Sequence, residues 1–321
     1  MMDRRRGSEG GNKVFYQRLP KGIWALGFVS MFTDISSELV HSLLPIFITT
    51  TLGASMVTLG ILEGLGEATS SVAKVFSGLI SDYFRRRKYL VVVGYGLAVL
   101  SKPLFPLARS MGWVFTARFL DRIGKGIRVA PRDALVSELA PPDLWGAAYG
   151  LRQALDSVGA FLGPLLALVL MSSFSDNIRA VLWVAVIPGL ISICLLIFGV
   201  KEPESRKGID GSKSRISLKD TKRLGLKYWL VIALGGIFAL ARFSEAFLIM
   251  RGQDLGMAVG YVPVIMVVMN VTYSLFAYPA GAAADRFSAP TLLLFGLMVL
   301  VFSDIVLAAA SSPVLALVGS G

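Results

Sequence analysis

"GLISDYFRRRKYL", residues 78–90, sets Asp82 and then four consecutive basic residues, Arg85 to Lys88, between two long apolar stretches. The same pattern runs through the chain: 55% of its 321 residues are hydrophobic and only 17% are charged. A soluble domain of this length divides its apolar residues among amphipathic pieces, whereas a membrane span needs roughly 20 apolar residues in a row. Such runs fall near residues 22–50, 54–81, 88–108, 112–138, 145–173, 177–199, 228–250, 256–284 and 289–310. The expectation is an all-α integral membrane protein with about nine transmembrane helices.

A net charge of +11 would raise nucleic acid as a partner in a soluble protein. Here the placement of the charge argues against nucleic acid. Arg4, Arg5, Arg6, Lys13, Arg18 and Lys21 precede the first span, Arg85 to Lys88 follow the second, Arg128 and Arg132 lie towards the end of the fourth, and Lys201 to Lys227 follow the sixth. If the spans alternate, these groups share one side. The opposite connections, "TTTLGAS", "SDNIR" and "RGQDLGM", carry at most one basic and one acidic residue each. The positive-inside bias therefore predicts a cytoplasmic N-terminus and insertion in the cytoplasmic (inner) membrane. The single cysteine, Cys194, excludes an intrachain disulfide. The first apolar run is too long for a signal-peptide core and is read as a retained span.

The segment 200–227 is polar and charged with both signs, and it divides the chain into a basic N-terminus (1–21), a six-helix bundle (22–199), a cytoplasmic linker (200–227) and a partial second bundle (228–321). Internal repetition fits that division. "GLISDYF" from Gly78 closes span two and "GAAADRF" from Gly281, with Asp285 and Arg286, closes span eight, an offset of 203 residues. Orientation alone would explain the basic cluster with Arg86 and Arg87, but it leaves Asp82 and the second copy at Asp285 unexplained. Span five reads "GLRQALDSVGAFLGPLLA", with Gly150, Gly159, Gly163 and Pro164. Small residues there let helices approach closely, and a mid-span proline removes a backbone hydrogen bond.

At these motifs the chain resembles the major facilitator superfamily of secondary transporters. "GLISDYFRRRKYL" looks like the superfamily's loop two-three signature. "GLRQALDSVGAFLGP" looks like the span-five signature of its proton-antiporting exporters, and "RFLDRIGKGIR" is similar to its basic fourth-helix motif. The resemblance implies two helical halves rocking about a midplane site, with Gly78, Asp82, Arg86, Arg87, Gly150, Gly159, Gly163, Pro164, Asp285 and Arg286 serving conformational gating. Measured against that family fold, about three C-terminal helices are missing from this sequence, which is expected to be either a fragment or a nine-span remnant.

Ionisable residues within spans are costly in lipid and point to function. Asp34, Glu38 and His41 form one stripe of span one; Glu63 and Glu67 form one of span two, with Lys74 further along. Arg118, Asp121, Arg122, Lys125 and Arg128 repeat at helical spacing in span four. These stripes are expected to face one another across a central cavity, with Asp34, Glu38 and Glu67 carrying protons or a cation and Arg118 and Arg122 pairing with them or binding an anion. The simpler reading is a static ion-pair network that fixes helix packing. Arg152 and Asp156 are read as gating contacts, Lys102 as a residue snorkelling to the interface, and Arg242 and Glu245, with Asn270 and Tyr273, as the opposite wall.

The expected function is ion-gradient-driven, proton-coupled secondary transport of a small solute, with export the favoured direction. Transport of a metal cation such as iron, or of an anion, is the alternative. A non-transporting scaffold or sensor on a degenerate transporter fold is a second. No metal site is assigned, since one His and one Cys in different helices fall short of a transition-metal set. No cofactor is implied, and no nucleotide-binding or hydrolase motif occurs, so the chain is not read as an enzyme or an ATP-driven pump. The expected partners are the lipid bilayer, a small-molecule or ion substrate, and protons.

Overall fold

The computed structural model describes residues 19–84, 87–202, 225–241, 244–284 and 288–320, and every regular element among them is a helix. In chain order these are α1 (Lys21–Ile46, running on through a wider turn at Phe47–Thr51), α2 (Met56–Phe84), α3 (Arg87–Ser101), α4 (Met111–Leu139), α5 (Trp145–Ser173), α6 (Ile178–Val184) and α7 (Val186–Gly199). After the polar segment come α8 (Leu226–Ala241), α9 (Glu245–Asp254), α10 (Val264–Ala284), α11 (Ala289–Ala309) and α12 (Pro313–Ser320). Helices thus fall within every stretch read as a span. Among the described residues, six helical segments are long and apolar enough to cross a membrane. Neither α2 nor α4 is among them, because these two carry the in-line charges; nor is α8, which is 16 residues long.

Lipid tails are as apolar as leucine, so helices in a bilayer associate through close packing and hydrogen bonds rather than hydrophobic burial. Both are evident here. A β-carbon on Gly163 of α5 would stand 2.7 Å from the Glu38 β-carbon of α1, and one on Gly159 would stand 3.0 Å from that of Asp34. The span-five glycines therefore let α1 and α5 touch at the backbone, beside the acidic stripe. In the same way Gly94 of α3 and Gly124 of α4 seat each helix against the other's backbone. Gly150, expected to serve such an approach with the other span-five glycines, has no described atom within 4 Å of the added carbon. Hydroxyls stitch the helices further: Ser36 Oγ donates to the Ala185 carbonyl at 2.6 Å and Ser77 Oγ to the Ile127 carbonyl at 2.5 Å.

Two buried apolar clusters lie towards opposite ends of α1. One joins Leu43 and Phe47 to Met171 of α5, Ile249 and Met250 of α9, and Ile265 of α10, so elements from both sides of the polar segment share it. The other gathers Ile23, Leu26, Tyr95, Leu135, Leu151 and Leu196, all from before that segment. The described elements are therefore joined across the chain at the Phe47 end. Near that end the chain turns at Gly53 with φ +66°, and again at Gly256 with φ +88°. The two turns are 203 residues apart, the offset that separates Gly78 from Gly281. Phe198, Val231 and Phe302 are among the large side chains left exposed, an exterior that lipid solvates.

Candidate functional site

The intramembrane charges separate into two groups. In the first, α4 faces α1 and α2. Arg118 Nη2 donates to both oxygens of Glu63, at 2.7 and 2.6 Å, a close charge-assisted pairing. Its Nη1 donates to His41 Nε2. Arginine can only donate, so in the neutral ring the imidazole hydrogen lies on Nδ1, which stands 3.6 Å from Glu38 Oε1. One turn along, Arg122 pairs with Glu67 at 3.0 Å and lies 4.0 Å from Glu63. The Glu67 side chain is nonetheless 61% exposed, against 11% for Glu63.

Lys102 requires a correction. It was expected to snorkel, but it is 1% exposed, and its ammonium donates to Asp121 Oδ1 at 2.9 Å and Ser37 Oγ at 3.0 Å. The sequence carried a signal for this. Asp121 is the acid in an otherwise basic stripe, and a buried carboxylate among arginines on its own helix recruits a cation from another.

The second group lines a cavity of about 300 Å³ between α1, α4, α5 and α10. Asp34 and Glu38 form one wall and Lys125, Arg128 and Arg132 another; Asp156 comes from α5, and Asn270, Tyr273 and Ser274 from α10. Arg152 reaches Asp156 at 2.7 Å across one helical turn. Arg132 is held by Asp133 at 3.2 Å, with Ser30 Oγ at 3.4 Å from its Nη1. Arg128 is 6% exposed and lies over the Tyr95 ring at 4.6 Å, and its buried Nη1 has no hydrogen-bond partner among the described residues. Arg128 was expected in the span-four stripe as well as among the charges that set topology, whereas Arg132 was read only as a topology charge; the side chains of both line the cavity.

Of the remaining expected site residues, Glu245 begins α9, is exposed, and does not line this cavity. Gly159, Gly163 and Pro164 are buried within α5. Arg87 of the basic cluster pairs with Glu138 of α4 at 2.6 Å. Arg86, Arg242, Asp285 and Arg286 lie outside the described residues, as does the side chain of Asp82. Among the described residues no group of three or more His, Cys, Asp or Glu is placed to hold a metal ion.

The sequence profile of the Major Facilitator Superfamily matches residues 26–321. The chain is 34% identical over 292 residues to an uncharacterised MFS-type transporter of Methanocaldococcus jannaschii, covering 88% of this chain and 71% of that protein. It is 30% identical over 152 residues to the multidrug resistance protein MdtH of Proteus mirabilis, covering 47% of this chain and 36% of that protein. Among solved structures, a bacterial homologue of the human lysosomal transporter Spinster, inward-facing and unoccupied, superposes with a TM-score of 0.67 at 17% identity, over 98% of this chain and 73% of that one.

Proposed function

The chain belongs to the major facilitator superfamily, whose members are secondary transporters and not enzymes, and we propose that it exports a small solute in exchange for protons by alternating access. The observation that carries this reading is the cavity. Asp34 and Glu38 face Lys125 and Arg128 there without a direct ion pair among the described residues, so the carboxylates are available to a proton or a solute. The α1–α5 seam supports a moving interface beside them, since its glycines keep contact at the backbone. The multidrug relative supports the export direction. The apolar cluster at the Phe47 end and the inward-facing neighbour support a state open towards the cytoplasm, with the N-terminus on that side. The first bundle, the linker and the second bundle take the bounds read from the sequence, with the Gly53 and Gly256 turns as support for two related halves.

The test is proton movement in proteoliposomes holding a pH-sensitive dye, challenged with pools of amino acids, sugars and lipophilic cations. At least one pool should move protons through the wild type, and Glu38→Gln should abolish the response. Wild-type vesicles that answer no pool, or a variant that answers as the wild type does, would refute the proposal.

A further inference from the structure

The cavity's unused charges specify a substrate class. Six charged side chains line it. Arg132 is engaged by Asp133, and Asp156 by Arg152 through Oδ2, its buried Oδ1 being left without a partner among the described residues. Asp34 and Lys125 have no hydrogen bond or ion pair among the described residues, Glu38 has only the 3.6 Å approach of His41, and Arg128 keeps a buried, unpartnered Nη1. Two acids on α1 and two bases on α4 are thus left open to one small space.

Each simpler ligand leaves a cost. A plain anion would meet Lys125 and Arg128 but stand beside two carboxylates. A plain cation would satisfy the carboxylates and be repelled by the bases. A lipophilic solute would strip water from all four charges and give none a partner, which is unfavourable wherever charges are buried unpaired. Among the described residues the aliphatic lining amounts to Val129 and Ala160, and about 300 Å³ is at the small end for ligand sites.

We infer that the substrate is a small hydrophilic zwitterion, its ammonium held by Asp34 and Glu38 and its carboxylate by Lys125 and Arg128. Asn270, Tyr273 and Ser274 supply polar contacts from α10. This rests on the exporter reading for what the cavity is used for, and it goes beyond that reading in naming the solute. The ammonium and the proton then compete for the same two carboxylates, which is how exchange would be enforced.

The test is binding to the purified full chain in detergent, followed by thermal melting and calorimetry. The probes are the twenty proteinogenic amino acids and glycine betaine, with propylamine, propionate and tetraphenylphosphonium as the single-charge and lipophilic counterparts. At least one zwitterion should raise the melting temperature and bind about tenfold or more tightly than propylamine or propionate, as the loss of one charged hydrogen-bonding partner requires. Asp34→Asn and Lys125→Met should each weaken that binding by about tenfold or more, and Asp34→Asn with Glu38→Gln should shift the preference towards propionate. The comparison among probes on the wild type stands even if a variant fails to fold. No shift with any zwitterion, equal binding of propionate, or binding of tetraphenylphosphonium alone would overturn the inference. Zwitterion binding with no solute-driven proton movement would remove the exchange reading and leave this one standing. Proton movement driven by tetraphenylphosphonium without zwitterion binding would do the reverse.

Discussion

Replacing Gly163 by alanine tests the α1–α5 seam through a single added carbon. That carbon would stand 2.7 Å from the Glu38 β-carbon, 2.9 Å from the Ile35 carbonyl oxygen and 3.0 Å from the Leu39 nitrogen. Ordinary contact begins at 3.4 Å, so the closest approach falls short by about 0.7 Å, and two of the three neighbours are backbone. Backbone cannot swing aside as a long side chain can, so α1 as a whole must move away from α5. Overpacking of this kind costs about 1–3 kcal/mol. The intrinsic helix preference of alanine over glycine returns up to about 1 kcal/mol, leaving a net loss on the order of 1–2 kcal/mol. Gly150 lies on the same helix with no described atom within 4 Å, so Gly150→Ala should collect the helix preference alone and gain about 0.5–1 kcal/mol. The assay is thermal melting of the two variants beside the wild type in one detergent, with a few degrees expected per kcal/mol. Gly163→Ala should melt below the wild type and Gly150→Ala at or above it. The reverse order, or an unchanged melt for Gly163→Ala, would refute the claim that backbone contact at this seam holds the two helices together.

Three further outcomes follow from the ion pairs and the charge bias. Glu63→Gln leaves Arg118 without its two-oxygen partner and should cost about 3–5 kcal/mol; adding Arg118→Gln should recover more than half of that loss in a melt, whereas an additive double variant would mean that the pair is not coupled. Asp121→Asn should be similarly severe and be rescued in part by Lys102→Met, because that pair is sealed, while Glu67→Gln should cost no more than about 1 kcal/mol, because its side chain is largely exposed. A reporter fused ahead of Met1 should resist an impermeant reagent added outside intact cells; labelling there would reverse the proposed orientation.

The helices were legible because each apolar run is long and sharply bounded, and the stripes because residues at four- and seven-residue spacing share a face wherever a helix forms. What spacing does not convey is the partner across the gap. Glu63 and Arg118 were each visible as intramembrane charges, yet their pairing depends on how α2 and α4 sit against each other, which the close approach of Gly126 to Ser70 and Ala73 sets. Lys102 was misread because the neighbouring prolines Pro103 and Pro106 suggested a helix end at the interface. The helix does break there, but the break lies inside the bundle. The split of one long acidic and basic field into a paired network and an open cavity was also out of reach. It turns on which charges find partners at 3 Å and which do not, a difference set by tertiary contacts.

The central claim, that the Asp34–Lys125 cavity is reached in turn from each side of the membrane, can be tested without knowing the solute. Cys194 is the sole cysteine, so replacing it with alanine and adding Ala160→Cys gives one thiol facing the cavity. An impermeant maleimide is then applied to right-side-out and inside-out vesicles. The account predicts labelling from both faces, with the inside-out vesicles reacting faster. Labelling from one face only, under every solute pool tried, would contradict it.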